Sequence, residues 1–99
     1  GLHITNVWRE PAGMLVENCR RFNITNCTIL DCDNVGLLLR NVSVSRVSDC
    51  LIRDDRPKST SRSIKVIGGK GNMIIDNLLG SPPHISDHEG IVRDNAVIP

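Results

Sequence analysis

Two short segments concentrate the residues able to do chemistry. In Pro82-Pro83-His84-Ile85-Ser86-Asp87-His88-Glu89, two imidazoles and two carboxylates fall close together, the densest set of metal-ligating or acid–base groups in the chain. His84 and His88 are four apart, a spacing that shares one face of a helix. Pro82-Pro83 indicate a loop instead, and a zinc site needs three or four convergent ligands. No metal site is assigned, and His84 and His88 are kept as candidates for acid–base work. In Arg53-Asp54-Asp55-Arg56-Pro57-Lys58, adjacent carboxylates are flanked by three cations. The plain reading is a solvated, charge-balanced loop, although oxygen-rich clusters of this kind also suit Ca²⁺.

Composition narrows the field. The chain has 99 residues, 39% of them apolar and 23% charged, with a net charge of +1. That is one domain at most. Trp8 and Phe22 are the only aromatics. Stacking on RNA needs more of them, and duplex DNA needs a basic excess, so nucleic acid is not expected as a partner. No apolar run reaches the ~20 residues of a membrane span.

The segments that must position these groups are set by a repeat. Gly13-Met-Leu-Val-Glu-Asn18 lies over Gly36-Leu-Leu-Leu-Arg-Asn41, then over Ser63-Ile-Lys-Val-Ile-Gly68 and Gly90-Ile-Val-Arg-Asp-Asn95, at spacings of 23, 27 and 27 residues. Ile4-Thr-Asn, Ile24-Thr-Asn, Val47-Ser-Asp and Ile74-Ile-Asp form a second aligned run. Short β-branched segments at this period, with no 3.6 repeat, predict a solenoid of stacked parallel strands. Its expected inner columns are Met14/Leu37/Ile64/Ile91, Ile4/Ile24/Val47/Ile74 and Ile29/Ile52/Leu79. Asn18, Asn41 and Asn95 are expected at one sharp turn, where Asn tolerates a left-handed backbone and stacked side chains form a ladder.

This pattern resembles the right-handed parallel β-helix family, the pectin-lyase-like solenoids, over essentially the whole chain. The resemblance implies an all-β right-handed parallel β-helix of about four coils, 20–27 residues each, over residues 1–99. Those residues form one β-helix domain or a fragment of a longer one. The gapless alignment puts every length change into Glu10–Ala12, Leu30–Val35, Arg53–Arg62 and Gly80–Glu89, which stacking gathers on one side of the helix. Family members that act on uronate-rich polysaccharides use clustered acids with Arg or Lys nearby. Their lyases hold Ca²⁺ with carboxylates, and their hydrolases use paired carboxylates as acid and base. The resemblance therefore implies polysaccharide or oligosaccharide as partner and a secreted bacterial setting; no cofactor is evident in the sequence, and Ca²⁺ is the one the resemblance allows. It offers Asp54 and Asp55 as catalytic candidates, and Arg53, Arg56, Lys58, Asp87 and Glu89 as substrate contacts. Asp54-Asp55 and Ser63-Ile64-Lys65 resemble two polygalacturonase motifs, but the Gly-His-Gly that separates them in that branch is missing here.

Two further features bear on assembly. Cys27 and Cys50 share a column, with Val7 one coil earlier, while Cys19 aligns with Val42 and Ala96. Parallel Cβ vectors favour free thiols there, though stacked neighbours lie within disulfide reach. Trp8, Thr28, Leu51 and Leu78 align as an outer apolar stripe. Open β-helix edges template pairing with other chains. The alternative to a glycan-contacting scaffold is thus a structural or adhesive solenoid that joins adjoining coils or a second copy, and a small self-sufficient lyase or hydrolase comes third.

Overall fold

The computed structural model describes residues 1–99 and contains thirteen short strands and no helix. Sheet A stacks β1 (His3–Thr5), β4 (Thr28–Leu30), β7 (Leu51–Arg53), β10 (Leu78–Leu79) and β13 (Ala96–Val97) in that order. Sheet B stacks β2 (Met14–Arg20), β5 (Val35–Ser43), β8 (Arg62–Ile67) and β11 (His84–Ser86). Sheet C stacks β3 (Asn23–Thr25), β6 (Arg46–Ser48), β9 (Lys70–Ile75) and β12 (Glu89–Arg93). Every pairing is parallel, and the chain visits A, B and C in turn. The molecule is a parallel β-solenoid of about four coils, with A–B, B–C and C–A corners.

Alternation along each strand sends one set of side chains inward. The inner columns are Ile4/Ile29/Ile52/Leu79/Val97 on sheet A, Met14/Leu37/Ile64 and Val16/Leu39/Val66/Ile85 on sheet B, and Ile24/Val47/Ile74/Val92 on sheet C. Leu37, Ile64, Val66, Ile74 and Leu79 are wholly buried. Only 24 of the 99 residues are buried, because a core one coil wide has surface close to every residue.

The register corrects several expected placements. Ile4 stacks on Ile29, not beside Ile24. Val7 lies next to Cys32, since the Asp33 N–H bonds the Val7 carbonyl at 2.9 Å. The sheet A column expected to begin with Trp8 begins instead with His3, followed by Thr28, Leu51, Leu78 and Ala96. Trp8 lies in the A–B turn, 61% exposed. In the last coil, Ile91 pairs with Met73 rather than Ile64, and Ala96 with Leu78 rather than the Cys19–Val42 column. Asn95 hydrogen-bonds Asn77 and stands apart from Asn18 and Asn41. The segment Gly80–Glu89 is not a loop, because His84–Ser86 is β11.

These shifts share one cause. Most corners place a left-handed residue at the end of a short strand, so apolar-x-apolar-x-Asn/Asp recurs at more than one corner of a coil. The Gly90–Asn95 run matches the sheet B pattern while lying on sheet C. The left-handed sites confirm the geometry: Asn18, Asn41, Gly68 and Asp87 at the B–C corner have φ between 53° and 70°, and Asn26, Asp49, Asp76 and Asp94 at the C–A corner 56–57°. Asn, Asp and Gly bear this conformation at least cost.

Polar groups inside the turns are fully paired. The buried Asn77 accepts from the Cys50 N–H (2.9 Å) and donates to the Val47 carbonyl and to Asn95 Oδ1. All four cysteines are free thiols. Cys27 and Cys50 do stack, and each donates to a carbonyl within its own coil. Burial pushes the Cys50 thiol up, which keeps it protonated and inert.

Candidate functional site

The A–B corner carries the length variation, and one of its two eight-residue connections runs through residues 54–61 between β7 and β8. The chain does not meander there. Asp54 accepts from Arg56 Nη2 (2.7 Å), Arg56 Nε (2.9 Å), the Arg56 N–H (3.1 Å) and the Ser59 hydroxyl. Arg56 Nη1 also reaches Asp33 one coil above, at 3.0 Å, and Asp33 in turn accepts from the Arg9 N–H at 2.8 Å. Asp55 pairs with Arg53 at 2.8 Å, and its N–H bonds Asp31. Ser61 donates to the Cys32 carbonyl at 2.8 Å, tying the loop back to the stack.

Electrostatics follow from this pairing. The Arg56 guanidinium holds the Asp54 carboxyl far below the usual carboxylate range, and Asp54 raises Arg56 in return. The Arg9 N–H and then Arg56 lower Asp33. Asp55 raises Arg53. A general acid must keep its proton near neutral pH, which requires a raised carboxyl. Asp54 is shifted the other way and is a counter-ion to Arg56. Its neighbour Asp55 points to a different arginine, Arg53.

Above this network lies an open cleft of about 370 Å³ lined by Asp33, Asn34 and residues 56–61, none of them hydrophobic. Lys58 is the one cation of its segment left without a carboxylate partner. Asn34 donates to the Glu10 carbonyl at 2.7 Å, which fixes the upper lip.

The second segment does not join this corner. His84 projects outward from β11, in register with Lys65. Asp87 is the left-handed turn residue at the B–C corner, and Glu89 begins β12 opposite Lys70. His88 Nε2 lies 3.0 Å from Asn72 Nδ2. Burial pulls this imidazole below its ordinary value, and Glu89 opposes the shift. No three His, Cys, Asp or Glu side chains converge as a cation site, here or at Asp54 and Asp55. The Asn18–Asn41 contact is present, with Asn41 Nδ2 donating to Asn18 Oδ1 at 2.8 Å.

Sequence reading passed over the B–C corner, where Arg20, Arg21, Arg46 and Lys70 gather around Phe22 and Val44. The signal was available: counted from Gly13, Gly36 and Ser63, these cations occupy adjoining positions of the repeat, the seventh, eighth and tenth.

No helix is long and apolar enough to cross a membrane. No curated protein and no solved structure matches the chain. The family model for the right-handed beta helix region matches residues 2–95. With three parallel sheets wound in succession over that same span, the chain belongs to the right-handed β-helix family.

Proposed function

We propose that this chain is a β-helix section of a carbohydrate-active protein, serving as scaffold and as a contact surface for polysaccharide or oligosaccharide. The observation that carries this reading is the A–B cleft. Apart from Pro57 its lining is polar, and its carboxylate, guanidinium and amide groups are fixed by hydrogen bonds that run from coil to coil. Sugars present dense hydroxyls, and rigidly held groups of this kind bind them without first losing side-chain freedom. The test is a titration of the ¹⁵N-labelled chain with neutral and acidic oligosaccharides. Saturable shifts with either class support the reading; no shift with any saccharide at millimolar concentration overturns it.

A second reading, association with a further β-coil or a second copy, is favoured by the last coil. Ile85 and Val97 stack directly beneath Val66 and Leu79, which are 0% exposed, yet are themselves 37% and 36% exposed. Edge strands with inward apolar groups on show are sites of pairing. Sedimentation at rising concentration, with Ile85→Lys as control, decides it: a monomer throughout removes this reading.

A further inference from the structure

The two corners differ in what their cations touch. At the B–C corner two depressions of about 550 and 400 Å³ share Val44 as their common wall. Arg20 and Lys70 line the first, and Arg21 and Arg46 the second, while no Asp or Glu lines either. None of these four cations forms an ion pair. Arg46 Nε donates to Asn23 Oδ1 at 3.2 Å, and its two Nη groups have no protein partner.

Stacking orders these charges along the helix axis. Arg20 is in register with Ser43, and the Lys70 N–H bonds the Ser43 hydroxyl, so Arg20 and Lys70 share a line two coils apart. Arg46 stands in the coil between them, on the neighbouring line with Asn23 and Met73. Successive coils are about 4.8 Å apart, on the order of one pyranose ring in a linear glycan. Phe22, 42% exposed, offers an apolar face of the kind that covers the C–H side of a sugar ring. Glu89, the register partner of Lys70, closes the row below without pairing to it. Four like charges held together without counter-ions repel one another. Val44, which is β-branched, and Arg21 both adopt φ above 50° here.

We infer that the B–C corner binds an acidic linear glycan laid along the helix axis, its carboxylate or sulfate groups met in turn by Arg20, Arg21, Arg46 and Lys70. The inference rests on the glycan-contacting reading above and gives it a substrate class and a second surface. A nucleic acid fits less well, because single strands call for several stacking aromatics and this surface has one.

The test titrates the full ¹⁵N-labelled chain with oligogalacturonate, a sulfated oligosaccharide and a neutral oligosaccharide of equal length. Arg46→Ala with Lys70→Ala, Lys70→Glu alone and Lys58→Ala follow. Exposed side chains without ion pairs are replaced, so circular dichroism should show unchanged folding. The expected result is binding of one or both acidic ligands, with shifts centred on residues 20–23, 44–46 and 70–73. It should weaken roughly tenfold in the double variant and on charge reversal, and fall with added salt. Preference for the carboxylate or the sulfated ligand identifies which anion is read. Acidic glycan that binds at the A–B cleft, lost in Lys58→Ala and kept in the double variant, overturns this inference and leaves the broader reading standing. If neutral glycan binds as well as acidic, the anion assignment falls; if none binds, both fall. Tighter binding of single-stranded DNA or anionic vesicles to these residues than of any acidic glycan also overturns it.

Discussion

The A–B and B–C corners turn the same chain at the same stack, yet they are held by different forces. At A–B, side-chain charge does the holding: Asp33, Asp54 and Asp55 are each answered by an arginine, and the long connection through residues 54–61 is shaped by those pairs. At B–C, backbone turns and uncharged side chains do it. Gly68, Gly69 and Gly71 take left-handed angles, and Asn72, buried, bonds the Ser45 N–H and the Val42 carbonyl. Of the cations at residues 53–58, the A–B pairing leaves only Lys58 without a carboxylate. A corner held without charge leaves its cations free, so the unpaired cations gather away from the segment where charged residues are densest in the sequence.

The largest effect should come from breaking the backbone corner. A Cβ on Gly69, at φ 81°, would overlap the Val42 carbonyl. Gly69→Ala is expected to cost roughly 3 kcal/mol or more, since neither the angle nor the clash can relax without moving β5. Urea unfolding in low and high salt measures it, and the loss should be the same in both.

Next comes Arg56→Ala at the charged corner. It strands Asp54, whose carboxylate is nearly buried, and removes the bond to Asp33. With the arginine a third exposed, a loss of about 1–2 kcal/mol at neutral pH is expected. Both carboxyls lie below their unfolded value of 3.8 in the native state, so the stability they supply is complete above that pH and disappears as pH falls through the lower native values. The difference between wild type and Arg56→Ala should therefore shrink in acid. A loss that is constant from pH 7 to pH 2.5 would show that packing, not charge, holds this corner.

The same contrast explains what was legible in the sequence. The solenoid was, because Leu37/Ile64 and Ile29/Ile52/Leu79 recur with enough spacing to fix two sheets. The ends were not. The first and last coils have neighbours on one side only, and their Asn- and Asp-ended segments fit more than one corner of the coil, so Ile4 and Ile91 aligned with the wrong sheet. Charge density drew attention to residues 53–58, and no pattern in one dimension shows that Arg53 and Arg56 are consumed by Asp55, Asp54 and a carboxylate 23 residues earlier. Free cations become visible only when the coils are stacked and the partners counted.

Val44→Asn sharpens the comparison from the other side. Val44 sits at φ 51° in line with Arg21 and Gly71, half exposed. Asn accepts that angle with less strain, so a gain of about 0.5–1 kcal/mol is expected. If Val44 is instead kept for contact with the glycan, the stabilised variant should bind acidic oligosaccharide less well. A change in neither property would show that the strain at this corner is incidental.

The two corners should also titrate in separate ranges. His88 Nε2 can accept from Asn72 only while the imidazole is neutral, and its native value lies below the unfolded 6.5. The unfolded chain therefore takes up the proton first as pH falls. Stability that is complete above pH 6.5 should decline below it, well before Asp33 and Asp54 begin to matter. His88→Gln should flatten the profile between pH 7.5 and 5 while leaving the acid limb intact. An unchanged slope would remove His88 as its source.

The smallest effect carries the most weight for function. Arg46→Ala combined with Lys70→Ala should change stability by less than about 0.5 kcal/mol, since neither side chain has a carboxylate to lose. Easing repulsion among four cations would even allow a slight gain at low salt, lost as screening rises. Compared with Arg56→Ala, the double variant separates cations that hold the fold from cations that do not. A cost above 1 kcal/mol would mean that Arg46 and Lys70 are structural, and that any loss of glycan binding in that variant follows from a weakened corner. A neutral result, with weakened binding of acidic glycan, would mean that these charges stand at the B–C corner for a ligand.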